Sequence, residues 1–221
     1  MHIDGIDNQE IYRLRTGWVL PDAPKSVTWQ EPHVSKQIQE EIEFSWASEM
    51  ARHVGNVVHR WLQKIAEDEM HDWSTVRIQM LQDQFKQNLC ASGMSGNNNE
   101  VSYAVERITL ALTYAITDKH GQWILGPQQS AQNELRITGI VDNVPMTWVI
   151  DRTFCDSNGV RWIIDYKTSS HEGSDINDFL DREQMRYQHQ LNHYAKIMRQ
   201  IDSRPIRLGI YFPLIGGWRE W

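Results

Sequence analysis

The 221 residues are 40% hydrophobic and include ten tryptophans, enough apolar material for one domain with its own core and too much for a disordered chain. A net charge of −7 counts against a free-standing nucleic-acid binder, because phosphate neutralisation drives such binding, but less against a catalytic module that holds metal through carboxylates. No apolar run nears the roughly 20 residues of a membrane span, no secretory pattern opens the chain, and the two cysteines, Cys90 and Cys155, fit a cytoplasmic location and fall short of the about four an iron–sulfur cluster takes.

In chain order, residues 1–40 read as a linker or surface strap, punctuated by Pro21, Pro24 and Pro32. Helical spacing of Met50, Val54, Val57, Val58, Trp61, Leu62 and Ile65 predicts a helix over 45–69, with Ser45 as its N-cap. Inside it, Gly55 precedes His59 by one turn on the same face. A mid-helix glycine costs roughly 1 kcal/mol against alanine, so close approach of a ligand or another backbone is expected there. Taken alone, His59 reads more readily as a surface histidine than as a metal ligand. Two scaffold helices are expected at 73–91 and 100–118.

The period then changes to two. Strands are predicted at 123–125, 132–138, 146–154 and 160–168, with turns at Asp142-Asn143 and Asp156–Gly159. In the last strand Asp165 and Lys167 share a face, opposite to Trp162, Ile164 and Tyr166. Asp151 of the neighbouring strand falls opposite or nearly opposite Asp165. Two carboxylates and an ammonium at one sheet edge suit a hard divalent cation and an activated water. An Asp-x-Lys step by itself is a common surface ion pair. Glu134 either joins this group or faces solvent with Gln132 and Arg136, the second reading being preferred. A polar loop at 169–177 is placed to cover the site, and a helix is expected at 178–201. On it Tyr187, Gln190 and Tyr194 form one stripe, with Arg186 one turn before Gln190. The tyrosines read as core, whereas the Gln190 amide needs partners. Strands at 206–212 and 218–221, joined across Gly216-Gly217, close the chain.

Gly55-x-x-x-His59, Ile150-Asp151, Asp165-Tyr166-Lys167 and Gln190-x-x-x-Tyr194, in this order, resemble the RecB/AddA-type nucleases of the PD-(D/E)XK superfamily. The likeness looks closest to the nuclease domain that ends UvrD-like, AddA-type helicases and covers about residues 45–215. One departure is visible: the family's glycine two or three residues before the first aspartate is replaced here by Trp148 and Val149.

The resemblance implies an α/β fold with a restriction-endonuclease-like core, a mixed central sheet flanked by helices and an added N-terminal helical part, spanning 41–221. It implies Mg²⁺ or Mn²⁺ bound by His59, Asp151, Asp165 and the Tyr166 backbone carbonyl. Asp151, Asp165 and Lys167 would be catalytic, and Gln190, Tyr194 and Arg186 would position DNA. The implied activity is cleavage of DNA, single strands foremost, beside a helicase in cis or a partner subunit, without membrane attachment. The alternative is a nuclease-like scaffold that binds DNA without cutting it.

Overall fold

The order of elements follows directly from where the apolar period changes. In a computed structural model they are α1 (Trp46–Glu67), α2 (Thr75–Met80), α3 (Gln82–Ala91), α4 (Asn98–Thr117), α5 (Lys119–Leu125), β1 (Gln129–Val141), β2 (Val144–Cys155), β3 (Arg161–Tyr166), α6 (Ile176–Ile201), β4 (Ile206–Phe212) and β5 (Gly217–Glu220). The structure describes residues 16–19, 22, 46–94, 96–141, 144–169 and 175–221. Most of the 1–40 strap, the Ser45 cap, the Asp142-Asn143 turn and residues 170–174 of the covering loop lie outside the described residues.

One five-stranded sheet, in the order β1-β2-β3-β4-β5, forms the middle layer. Its neighbours pair antiparallel except β3 and β4, which run parallel and are joined through α6. The sheet is therefore mixed. Val54, Val58, Leu62 and Ile65 of α1 pack with α3, α4, α5 and Trp162, Ile164 and Tyr166 on one face. Leu191, Ala195 and Met198 of α6 pack with Ile163, Leu208 and Ile210 on the other. Each fully buried aliphatic side chain here contributes roughly 1.5–3 kcal/mol.

Two predicted elements take a different form. Residues 123–125, expected as a strand, end the helix α5. Asp118 caps that helix by accepting from the backbone N–H groups of His120 and Gly121, and this local bonding overrides the apolar triplet. The predicted helix over 73–91 is two helices that break at Leu81, the first capped by the Ser74 hydroxyl. At α4 the capping box of Asn97 and Glu100 starts the helix two residues before its expected beginning.

The long β1–β2 hairpin switches faces midway. Arg152 and Asn133 pair with each other and meet the α5 side, where the Arg152 guanidinium donates to the carbonyls of Ile124 and Gly126. Ile150 and Leu135, two residues away on the same strands, pack into the α6 layer instead. Residues two apart in a regular strand share a face, so the alternation reverses between them. The reversal is local: Glu134 has φ +48°. Asn133 pairs with Arg152 and Leu135 with Ile150, so Glu134 is level with Asp151 at that switch. Such a backbone costs a non-glycine residue on the order of 1 kcal/mol.

Candidate active site

Four elements converge at the end of β3. Helix α1 carries His59, β1 carries Glu134, β2 carries Asp151, and the end of β3 carries Asp165 with Lys167 just beyond it. Gly55 explains how α1 comes close enough. A Cβ there would sit 2.9 Å from Thr168 Oγ1, so the glycine admits the segment after Lys167 against the helix. The neighbour is a side chain of this chain, not the ligand or backbone expected.

His59 Nδ1 lies 3.5 Å from Asp151 Oδ1, and the other Asp151 oxygen accepts a 2.7 Å hydrogen bond from the Tyr166 backbone N–H. The His59 ring meets the buried Tyr166 ring edge-on. Ligand atoms of His59, Glu134 and Asp151 all fall within 4.8 Å of one another. Glu134 thus joins the group although its residue is exposed, which corrects the preferred solvent-facing reading. It keeps the company of Arg136, which lines the same cleft, so facing the opening and joining the group go together. Partial burial and the Asp151 charge push its carboxyl above the ordinary value.

Asp165 does not belong to that close set. It is 5% exposed, and its Oδ2 lies 2.9 Å from Lys167 Nζ. Burial, then the Asp151 charge, raise its carboxyl to about 6 against the pull of Lys167. Burial draws Lys167 down, but the Asp165 carboxylate holds the ammonium above its ordinary value. Burial likewise draws His59 down, and Asp151, followed by Asp165, more than offsets it.

Helix α6 closes the other side. Lys167 Nζ sits 4.1 Å from the centre of the Tyr187 ring, a cation–π contact. Tyr187 is half-buried, packs against the core as expected and also touches the site. Gln190 is exposed and donates from its amide to the buried Tyr194 hydroxyl. Arg186 Nη1 lies 3.6 Å from Glu183 Oε1 at the rim. All this surrounds a cleft of about 1110 Å³ lined by Arg52, Arg60, Arg136 and Arg186 as well as His59, Glu134, Asp151 and Lys167. A chain of net charge −7 therefore concentrates cations around one opening. A smaller cavity of about 540 Å³, backed by Arg152, shares Glu134 and Arg136 with it.

A family model described as the PD-(D/E)XK nuclease superfamily matches residues 37–215. The chain belongs to this superfamily. Among curated proteins nothing matches it. PD-(D/E)XK domains are generally nucleases, and the mixed five-stranded sheet with helices on both faces is the fold expected of one. They also usually employ divalent metals. The donor set fits that chemistry: two carboxylates and one imidazole within 4.8 Å offer mostly hard oxygen, with a third carboxylate, Asp165, buried on the adjoining strand.

Proposed function

We propose that this PD-(D/E)XK domain is a Mg²⁺- or Mn²⁺-dependent deoxyribonuclease of RecB/AddA type, the nuclease module of a cytoplasmic helicase–nuclease in double-strand-break repair and recombination. Residues 41–221 form the domain, and 1–40 link it to its helicase, in cis or in a partner subunit. One observation carries the reading. The imidazole and carboxylates of His59, Glu134 and Asp151 meet beside the buried Asp165–Lys167 pair, inside a cleft rimmed by arginines.

His59, Asp151 and Asp165, with the Tyr166 carbonyl and Glu134, would hold the ion. When bound, such an ion withdraws charge from the scissile phosphate and acidifies its water. The chain's own residues do the rest. The Tyr166 N–H fixes the Asp151 carboxylate. Lys167, held between Asp165 and the Tyr187 ring, presents its ammonium to the attacking water and the phosphate. Arg52, Arg60, Arg136 and Arg186 take the strand's phosphates, while Gln190 and Tyr194 brace the α6 wall. A single strand delivered by a helicase suits a domain whose net charge is negative and whose cleft gathers four arginines. His59, Asp151 and Lys167 in that opening, with Asp165 buried behind Lys167, favour cleavage over a silent scaffold.

Purified chain is expected to cut labelled single-stranded DNA with Mg²⁺ or Mn²⁺ and to stop in EDTA. Asp151→Asn, Asp165→Asn and Lys167→Ala should each lower the rate on the order of 10³-fold or more, several kcal/mol of transition-state stabilisation. Cleavage that persists in EDTA, or in folded Lys167→Ala at the parent rate, overturns the reading.

A further inference from the structure

Away from the cleft, helix α6 carries a second arrangement of donor groups. His189 and His193 are one turn apart on it, with ring centres separated by 4.4 Å. The Nδ1 atom of His193 lies 2.9 Å from the His189 carbonyl oxygen. A carbonyl can only accept, so Nδ1 carries the proton and Nε2 is left with its lone pair. A metal-ligating histidine takes this form, one ring nitrogen donating to a carbonyl and the other facing the ion. The backbone beneath is firm. Helix α6 runs for 26 residues, and Leu191, Tyr194, Ala195 and Met198 anchor its inner face in the core.

We infer that His189 and His193 form a two-point chelate for a borderline divalent transition cation such as Ni²⁺, Zn²⁺ or Cu²⁺. The pair lies outside the cleft, since neither histidine lines it. Its chemistry is the reverse of the cleft's. The cleft group has two carboxylates to one imidazole, whereas the α6 pair is two imidazoles, with no carboxylate completing it among the described residues. Imidazole nitrogen selects Ni²⁺, Cu²⁺ and Zn²⁺, and leaves Mg²⁺ to oxygen donors. No third His, Cys, Asp or Glu among the described residues completes the set. The remaining coordination positions are thus left to water or to a donor from another molecule. Arg186, on the same helix one turn before His189 and Gln190, lines the cleft, so an ion held here adds positive charge to that wall.

Calorimetric titration of the tag-free chain with Ni²⁺ tests the inference, in an Asp151→Asn background that disables the cleft group. One equivalent is expected to bind, with excess Mg²⁺ failing to compete. His189→Ala and His193→Ala should each weaken it about tenfold or more, since losing a ligand costs at least what losing an outer-shell partner does. The double variant should abolish it. Cu²⁺ electron paramagnetic resonance should show coupling to two nitrogens in the parent and not in either single variant. Should the alanine variants fold poorly, His189→Gln and His193→Gln keep the side-chain polarity and serve the same comparison. Undiminished Ni²⁺ affinity in a folded double variant overturns the site, as does displacement of the ion by Mg²⁺.

Discussion

Asp151 and Asp165 lie level with one another on adjacent strands, yet their surroundings divide the site in two. The outer half is His59, Glu134 and Asp151, open to the cleft and tied down by a backbone N–H. The inner half is the buried Asp165 with Lys167, which lies against the Tyr187 ring at the cleft wall. Carboxylates of the same type thus do different work. The outer ones stay available to a cation, while the inner one is a buried charge that the apo fold supports at a cost, set against an ammonium.

Stability gives the largest effect that separates the halves. The folded-state value of Asp165, about 6, exceeds its ordinary 3.8. The folded chain therefore binds this proton more tightly than the unfolded one, and metal-free stability falls as pH rises from about 4 to 6. Asp165→Asn removes the charge. It should stabilise the metal-free protein at pH 7 by roughly 3 kcal/mol, raising Tm by about 6–12 °C while destroying cleavage. Saturating Mn²⁺ should erase much of that gain, because only the parent keeps its ligand. Thermal melts across pH, with and without Mn²⁺, check this, and a lower apo Tm for the variant would break the comparison.

Tyr187 sharpens the inner half. Tyr187→Phe keeps the ring face and should retain most activity, whereas Tyr187→Leu frees the ammonium and should lower kcat about 2–30-fold, the worth of a cation–π contact. Mn²⁺ affinity should stay near the parent's, since the outer group is untouched. Single-turnover rates and a metal titration on both variants separate these outcomes.

The smallest effect falls on the junction between the halves. Gly55→Ala gains roughly 1 kcal/mol of helix propensity but sets a methyl 2.9 Å from Thr168 Oγ1. Tm should hardly change, while Mn²⁺ affinity falls several-fold as α1 and His59 shift. Adding Thr168→Ala removes the atom in the way and should restore the affinity. A double variant no better than the single one would show that His59 is not placed by this contact.

Much of this was legible from periodicity. The 3.6 pattern of α1 and the alternation around Asp156–Gly159 led to the right elements, because both bury one face against a core. Asp165 and Lys167 were placed on a shared face for the same reason. Three features escaped. The α5 helix hid because its helix-forming signal is the Asp118 side chain, not its apolar triplet. Glu134 stays beside Arg136 as its spacing suggests, but its approach to His59 and Asp151 depends on the strand pairing and on a positive φ that no sequence pattern announces. Tyr187 packs against the core as its stripe suggests, but the stripe does not reveal that a lysine from another element lies on its ring.

The parallel pairing of β3 with β4 has a consequence in time. Residues 161–166 pair with 206–211, and the Lys167 N–H reaches the Tyr211 carbonyl, so these contacts close a loop of about 45 residues that includes all of α6. Such non-local closure is slow relative to helix or hairpin formation. On a ribosome, α1 and the β1–β2–β3 meander can form while Asp165 and Lys167 still lack their neighbouring strand. The inner half of the site is completed only after Tyr211 has been made, once the sheet behind it is in place.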